Sequence, residues 1–301
     1  MASDLSQRRY MRNRLITFIL ALLLLPPLAL ALTLSAQEWI APLPMAGSVW
    51  LPALFSTLAV FAFSMLLDAL TFQRTHHSLS RSQLSYLLWN GVAGAVTGML
   101  LAYLNLFATT WATAAGSEVQ ALLVGALCGS VLLPAVSITR LWLAGLVRLR
   151  TRSFALPTLT AEPTAKLLLL LSLIGLLAGT VWVDHLFWMF WLSPLTLLVA
   201  LQLLWHESTV FSGLPQGDWS RVLLGALSGI LVGGIALATY RMSGGSLYLA
   251  ISTWQLIPGL AVFGVLCLQI SDVVAENWRG KKRSEVFKKK PFPIPIVTKK
   301  D

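Results

Sequence analysis

Five side chains have the type and placement to do chemistry in or beside a membrane: Asp68, Asn90, Arg140, His206 and Glu207. Asp68 and Glu207 each close a long apolar run. Ionisable groups at such places are functional candidates by default, because a charge near hydrocarbon is costly unless it serves a purpose. Together with His206 and Arg140 they would give an acid, a base and a phosphate-binding cation to an enzyme working on lipid-linked substrates at the cytoplasmic face. The plainer alternative is a pair of hydrated boundary carboxylates, matched by Arg140 or another cation at a helix end. Asn90 lies deeper in its run and must find hydrogen-bond partners there. It can be a substrate contact or polar glue between helices, as can Asn105, Gln202 and Gln255.

Other reactive residue types carry weaker signals. His76-His77, Asp184-His185 and His206-Glu207 are neighbours in sequence and lack the i, i+4 spacing of a helical zinc site, so no metal is expected. Cys128 and Cys267 sit deep in apolar runs, where cysteine usually acts as a small packing residue. No phosphate-cradling glycine loop and no hydrolase triad is present, so no cofactor is expected. No motif supports nucleic-acid binding.

The elements that must position these residues follow from composition. The chain has 301 residues, 56% of them hydrophobic and only 11% charged, with a mean hydropathy of +0.75. That charge content is less than half the roughly 25% of soluble domains, so the bilayer must be the solvent for most of the chain. Eight apolar stretches are long enough to cross it. They are Leu15–Ala36, Leu51–Leu67, Leu84–Phe107, Val119–Thr139, two within Leu167–Leu203, Val222–Tyr240 and Leu247–Ile270. Leu167–Leu203 as one helix would be about 55 Å long, so it must fold back, and Asp184-His185 marks the turn. Leu15–Ala36 is too long for a signal-peptide core and reads as a retained span.

The segment Leu67–Ser130 returns 139 residues later as His206–Gln269. Asp68 and Phe72 fall on Glu207 and Phe211, Gly94 on Gly233, and Gly125-Ala-Leu-Cys128 on Gly264-Val-Leu-Cys267. The predicted fold is therefore an all-α polytopic membrane protein of eight transmembrane helices in two parallel four-helix repeats. Residues 1–153 form the first repeat, 154–166 a linker, 167–270 the second repeat and 271–301 a basic tail. Gly94-xxx-Gly98, Gly125-xxx-Gly129, Gly175-xxx-Gly179 and Gly225-xxx-Gly229-xxx-Gly233 mark helix seams.

Charge sets the orientation. Eight spans leave 21 of the 22 Lys and Arg on one side, with only Arg241 on the other. By the positive-inside rule both termini are cytoplasmic and the chain belongs in an inner membrane. Arg140, Arg148 and Arg152 form one stripe on a helix that continues past the fourth span. They and Lys281, Lys282 and Arg283 of the tail are candidates for anionic lipid headgroups. Three functions fit these features. The first is permease-like movement of a neutral or lipidic substrate between two pseudo-symmetric halves, with Asp68, Glu207, His206, Asn90 and Arg140 as substrate or coupling residues. The second is a non-catalytic subunit or scaffold bound to other membrane subunits. The third is the membrane enzyme outlined above. They separate on geometry: a cavity between the halves lined by Asn90 and the third and seventh spans, a solid interior, or convergence of Asp68, His206 and Glu207.

Overall fold

The computed structural model describes residues 49–113, 117–146 and 160–278. The expected first span, Leu15–Ala36, lies outside them, as do Arg148, Arg152 and the tail cations Lys281, Lys282 and Arg283. The described chain is nearly all helical. Its elements are α1 (Trp50–Thr75), α2 (Leu79–Ser82), α3 (Leu84–Ala108), β1 (Trp111–Thr113), α4 (Glu118–Leu146), α5 (Ala161–Val181), α6 (Val183–Leu204), α7 (Ser220–Met242), β2 (Leu247–Leu249) and α8 (Thr253–Trp278). Seven of these helices are long and apolar enough to cross a membrane. They cover the expected second to eighth spans, and the break between α5 and α6 at Trp182 falls beside the expected turn.

The bundle hides small and medium side chains and turns large ones outward. Val60, Leu133, Val136, Val199 and Val232 are buried at the centre. Leu177, Val181 and Trp254 are 71%, 72% and 84% exposed, an arrangement that suits lipid and not water. Helices alternate in direction, and β1 and β2 fix which ends meet. These two strands follow α3 and α7, and they pair antiparallel, Trp111 with Leu249 and Thr113 with Leu247. The α3–α4 and α7–α8 hairpins therefore turn at the same end of the bundle and run in the same sense. The α5–α6 turn joins them there, since Trp191 Nε1 donates to Thr110 Oγ1 at 3.0 Å. Of the six described Lys and Arg residues, Arg74, Arg81, Arg140, Lys166 and Arg221 lie towards the opposite end, and Arg241 lies at the ribbon end.

Helix neighbours form a paired pattern. Exchanging α1 with α6, α3 with α7 and α4 with α8 maps the packing of α1 on α4, α1 on α7 and α4 on α7 onto that of α6 on α8, α6 on α3 and α8 on α3. The α4–α8 contact and the β1–β2 ribbon map onto themselves. The register of the two glycine seams differs, however. In α3–α4, Gly94 lies on Gly129 and Gly98 on Gly125. In α7–α8, Gly229 lies on Gly264, while Gly225 and Gly233 meet Leu268 and Leu260. Gly264 thus packs eight residues, about two turns, before Leu237, its partner by the sequence match. Backbones approach closest where glycine faces glycine, and that requirement sets each register on its own.

Two boundaries depart from the sequence-based expectation. The eighth span was expected over Leu247–Ile270, but Leu247 lies in the ribbon and α8 runs from Thr253 to Trp278. The second span was expected to end at Leu67, yet α1 reaches Thr75, and α2 fills Leu79–Ser82. The expected continuation of the fourth helix past Arg140 is present as far as Leu146.

Candidate functional site

At the ribbon end the bundle is hollow. A chamber of 640 Å³ lies between the α3–α4 and α7–α8 hairpins, with α6 along one side and the ribbon as part of its wall. Its lining on α8 runs from Gln255 to Cys267, about 18 Å at 1.5 Å per residue. That is more than half of a hydrocarbon core about 30 Å thick. Its inner end is marked by Gly94, Leu133 and Cys267.

Local sequence explains the hollow. Along α3 and α4, Gly94, Gly98, Gly125 and Gly129 bring the two backbones together and present no side chains to fill the space. On α8, a Cβ added to Gly259 would meet nothing within 4 Å. Several polar groups of the rim are already occupied. Asn105 Nδ2 donates to the Trp111 carbonyl at 2.7 Å, and Asn105 Oδ1 accepts from Trp111 N at 3.1 Å. Thr110 accepts from Trp191, whose ring stacks 5.3 Å from that of Trp111. Gln255 Oε1 accepts from the backbone and hydroxyl of Ser252, both at 3.0 Å. What faces inward is mainly Leu, Ala, Gly, Val and aromatic surface, with Cys128 and Cys267 among it. Water at its liquid density would need about twenty molecules to fill this volume, each wanting two to four polar partners, and the walls offer few. Hydrocarbon fills it without that cost.

The other end is built the opposite way. Arg221 Nη2 donates to both oxygens of Asp272, at 2.5 and 2.7 Å. Arg140, half-buried, feels the charges of Arg221 and Asp272. Gln269 Nε2 donates to Gln202 Oε1, and Gln269 Oε1 accepts from Val210 N at 2.9 Å. Ser208 Oγ donates to Glu276 Oε1 at 3.2 Å. Tyr86 Oη donates to the Ser271 carbonyl at 3.2 Å, and the Ser137 and Ser271 hydroxyls lie 2.9 Å apart. This layer joins α3, α4, α6, α7 and α8 beneath the chamber.

The sequence-based candidates therefore divide. Asn90 was expected to line the cavity. It instead sits one turn below Gly94, fully buried, with Nδ2 donating to the Tyr86 carbonyl at 3.0 Å and Oδ1 without a partner among the described residues. Asp68 holds the α1–α2 corner: it accepts from Leu79 N at 3.0 Å and from the Ser80 hydroxyl. His206 is exposed, with φ at 56°, and follows the end of α6 in the left-handed region where histidine is tolerated better than most residues. Glu207 N donates to the Gln202 carbonyl at 2.9 Å. Arg140 lies near the Arg221–Asp272 pair.

Asp272, Glu276 and Gln269 were missed, while Gln202, a candidate for polar glue between helices, is bonded to Gln269 on α8. A signal was present: Gln269, Asp272 and Glu276 are spaced by three and four, which places them on one face of a continuing helix. Among the described residues no three His, Cys, Asp or Glu side chains gather in a way that could hold a metal ion. Outside the spans, Asp218 accepts from the hydroxyl and backbone N–H of Ser220, and these bonds hold its carboxyl below the usual range. The chain matches no protein family, no curated protein and no solved structure.

Proposed function

We propose that this chain is a permease-like protein of an inner membrane that binds a lipidic substrate between two pseudo-symmetric halves and moves it across the bilayer. The chamber is the observation that carries this reading. At 640 Å³ it is within the roughly 300–1,000 Å³ of small-molecule sites, and it is lined, as such sites are, mostly by apolar groups. It opens at one end and is closed at the other by a hydrogen-bonded polar layer, as one state of an alternating path would be.

The paired pattern of helix neighbours supports two halves, each of four spans, with Leu15–Ala36 as the first span of the first half. It suits halves related by an axis along the membrane normal. The gathering of five of six described cations at one end supports a cytoplasmic placement for that end. Both termini are then cytoplasmic. Asp68 and His206 already serve helix ends and corners, which favours binding and passage over catalysis.

The test is lipid movement in proteoliposomes. Labelled lipid in the outer leaflet is quenched by an impermeant reductant, and the fraction that becomes reachable reports transfer. Wild type should exceed empty vesicles severalfold. Gly259→Leu, which places a side chain into the open chamber, should return the rate to that of empty vesicles. Gly234→Leu should not, since Gly234 also faces open space but lies outside the chamber lining. Equal rates in all three samples would remove the permease reading.

A further inference from the structure

We propose that Arg140 anchors an anionic oxygen group, a phosphate or a carboxylate, just beyond the inner end of the chamber. The substrate is then an acidic amphiphile whose tail occupies the chamber. This rests on the permease reading above and names its substrate class.

Position comes first. Arg140 is seven residues along α4 from Leu133 at the chamber's inner end, a rise of about 10 Å. Neighbouring helices present polar groups along this rise. Asn90, fully buried, offers an amide oxygen that has no donor, and below it Tyr86, Ser137 and Ser271 meet in one hydrogen-bonded tie. Polar groups of the closing layer thus lie between the chamber and Arg140.

Charge comes second. Arg221 is paired with Asp272, and Arg140 lies close enough to both to feel their charges. Arg221 takes both oxygens of Asp272. Arg140 Nε is buried and has no acceptor among the described residues. A buried donor without an acceptor is expensive, and more so when it is charged. The planar fork of arginine matches the oxygens of a phosphate or carboxylate, so an entering anion would fill this vacancy. A lipid headgroup and a free anion share that chemistry, and the experiment separates them.

The full-length protein is placed in phosphatidylcholine nanodiscs with or without phosphatidylglycerol, or in phosphatidylcholine with inorganic phosphate added. Retained lipid per protein and the unfolding midpoint are measured. Wild type should retain phosphatidylglycerol over phosphatidylcholine by at least about fivefold, the weight of one cation near a headgroup. Arg140→Gln should lose that preference, and Arg140→Lys should recover part of it. Asp272→Asn, which removes the competing carboxylate, should strengthen it. Protection of wild type but not Arg140→Gln by phosphate alone, with nothing added by phosphatidylglycerol, would uphold the anion site and overturn the lipid substrate. Arg140→Gln that folds and keeps the full preference would overturn the site, as would Asp272→Asn that folds and weakens it. If the permease reading were the part at fault, Gly259→Leu would retain as much lipid as wild type while the Arg140 variants still differed.

Discussion

The two ends of this bundle solve the problem of a low-dielectric solvent in opposite ways. At the ribbon end, polar groups of the outermost helix turns and the connections, such as Asn105, Gln255 and Thr110, satisfy neighbouring backbone and ring groups. The helices there can part, because hydrocarbon replaces what a side chain would otherwise fill. At the cation-rich end, charged and amide groups enter the bundle itself and must find one another. The helices there are tied by Arg221 with Asp272, Gln202 with Gln269, and Tyr86 with Ser271. A void is tolerable in a membrane protein where its walls are apolar; where groups are polar, contact is enforced.

This contrast can be broken at either end. The largest effect is expected from Asp272→Ala, which leaves the Arg221 guanidinium without its carboxylate. Breaking one partner of such a pair costs about 3–5 kcal/mol when it is fully buried, and the partial exposure here, 32% and 17%, places it towards the lower figure. Unfolding in mild detergent should show the loss, and Asp272→Glu should restore part of it. Next comes Gly98→Leu. A Cβ there runs into the Gly125 backbone, which cannot yield as a side chain can, so α3 and α4 must separate at a cost of about 1–3 kcal/mol. The same measurement should show it, with loss of chamber binding. Gly259→Leu should instead hold or raise stability by up to about 1 kcal/mol, since glycine is a poor helix former and the new side chain meets open space. A fall in its unfolding midpoint would mean that the chamber is not open. The smallest effect is at Asp218. Its carboxyl is held below its ordinary range in the folded chain, so its contribution is complete above the unfolded value and fades as pH falls through the folded one. Asp218→Asn should remove that part of the acid dependence of unfolding and leave the neutral-pH midpoint nearly unchanged.

Much of the scaffold was legible in the sequence. Lengths and apolar runs located all seven described spans, with ends displaced by up to eight residues, and Trp182 to His185 betrayed the α5–α6 turn. Glycine spacing named both sides of the α3–α4 seam and the α7 side of the α7–α8 seam. It could not give their register, because every glycine on a face is an equal candidate until two backbones meet. The ribbon was invisible, since three-residue strands carry no periodic signal and Leu247 to Leu249 reads as the start of an apolar helix. Asp272 and Glu276 were assigned to the tail because hydropathy falls there, although their spacing continued the helix. Asp68 drew attention for its charge and its place, but one turn of helix beyond it, at Leu79 and Ser80, supplied its use. The chamber was only inferable as a space between halves. Asn90, its expected marker, belongs to the wall beneath it.

Mass spectrometry of the intact protein released from mild detergent weighs what the chamber holds. Wild type should carry one tightly retained lipid or other chain-bearing molecule that survives delipidating washes, Gly234→Leu should carry it equally, and Gly259→Leu should appear as the bare chain. A wild-type protein that emerges bare, or a Gly259→Leu protein that keeps the same adduct, would contradict a hydrocarbon-binding chamber between the hairpins.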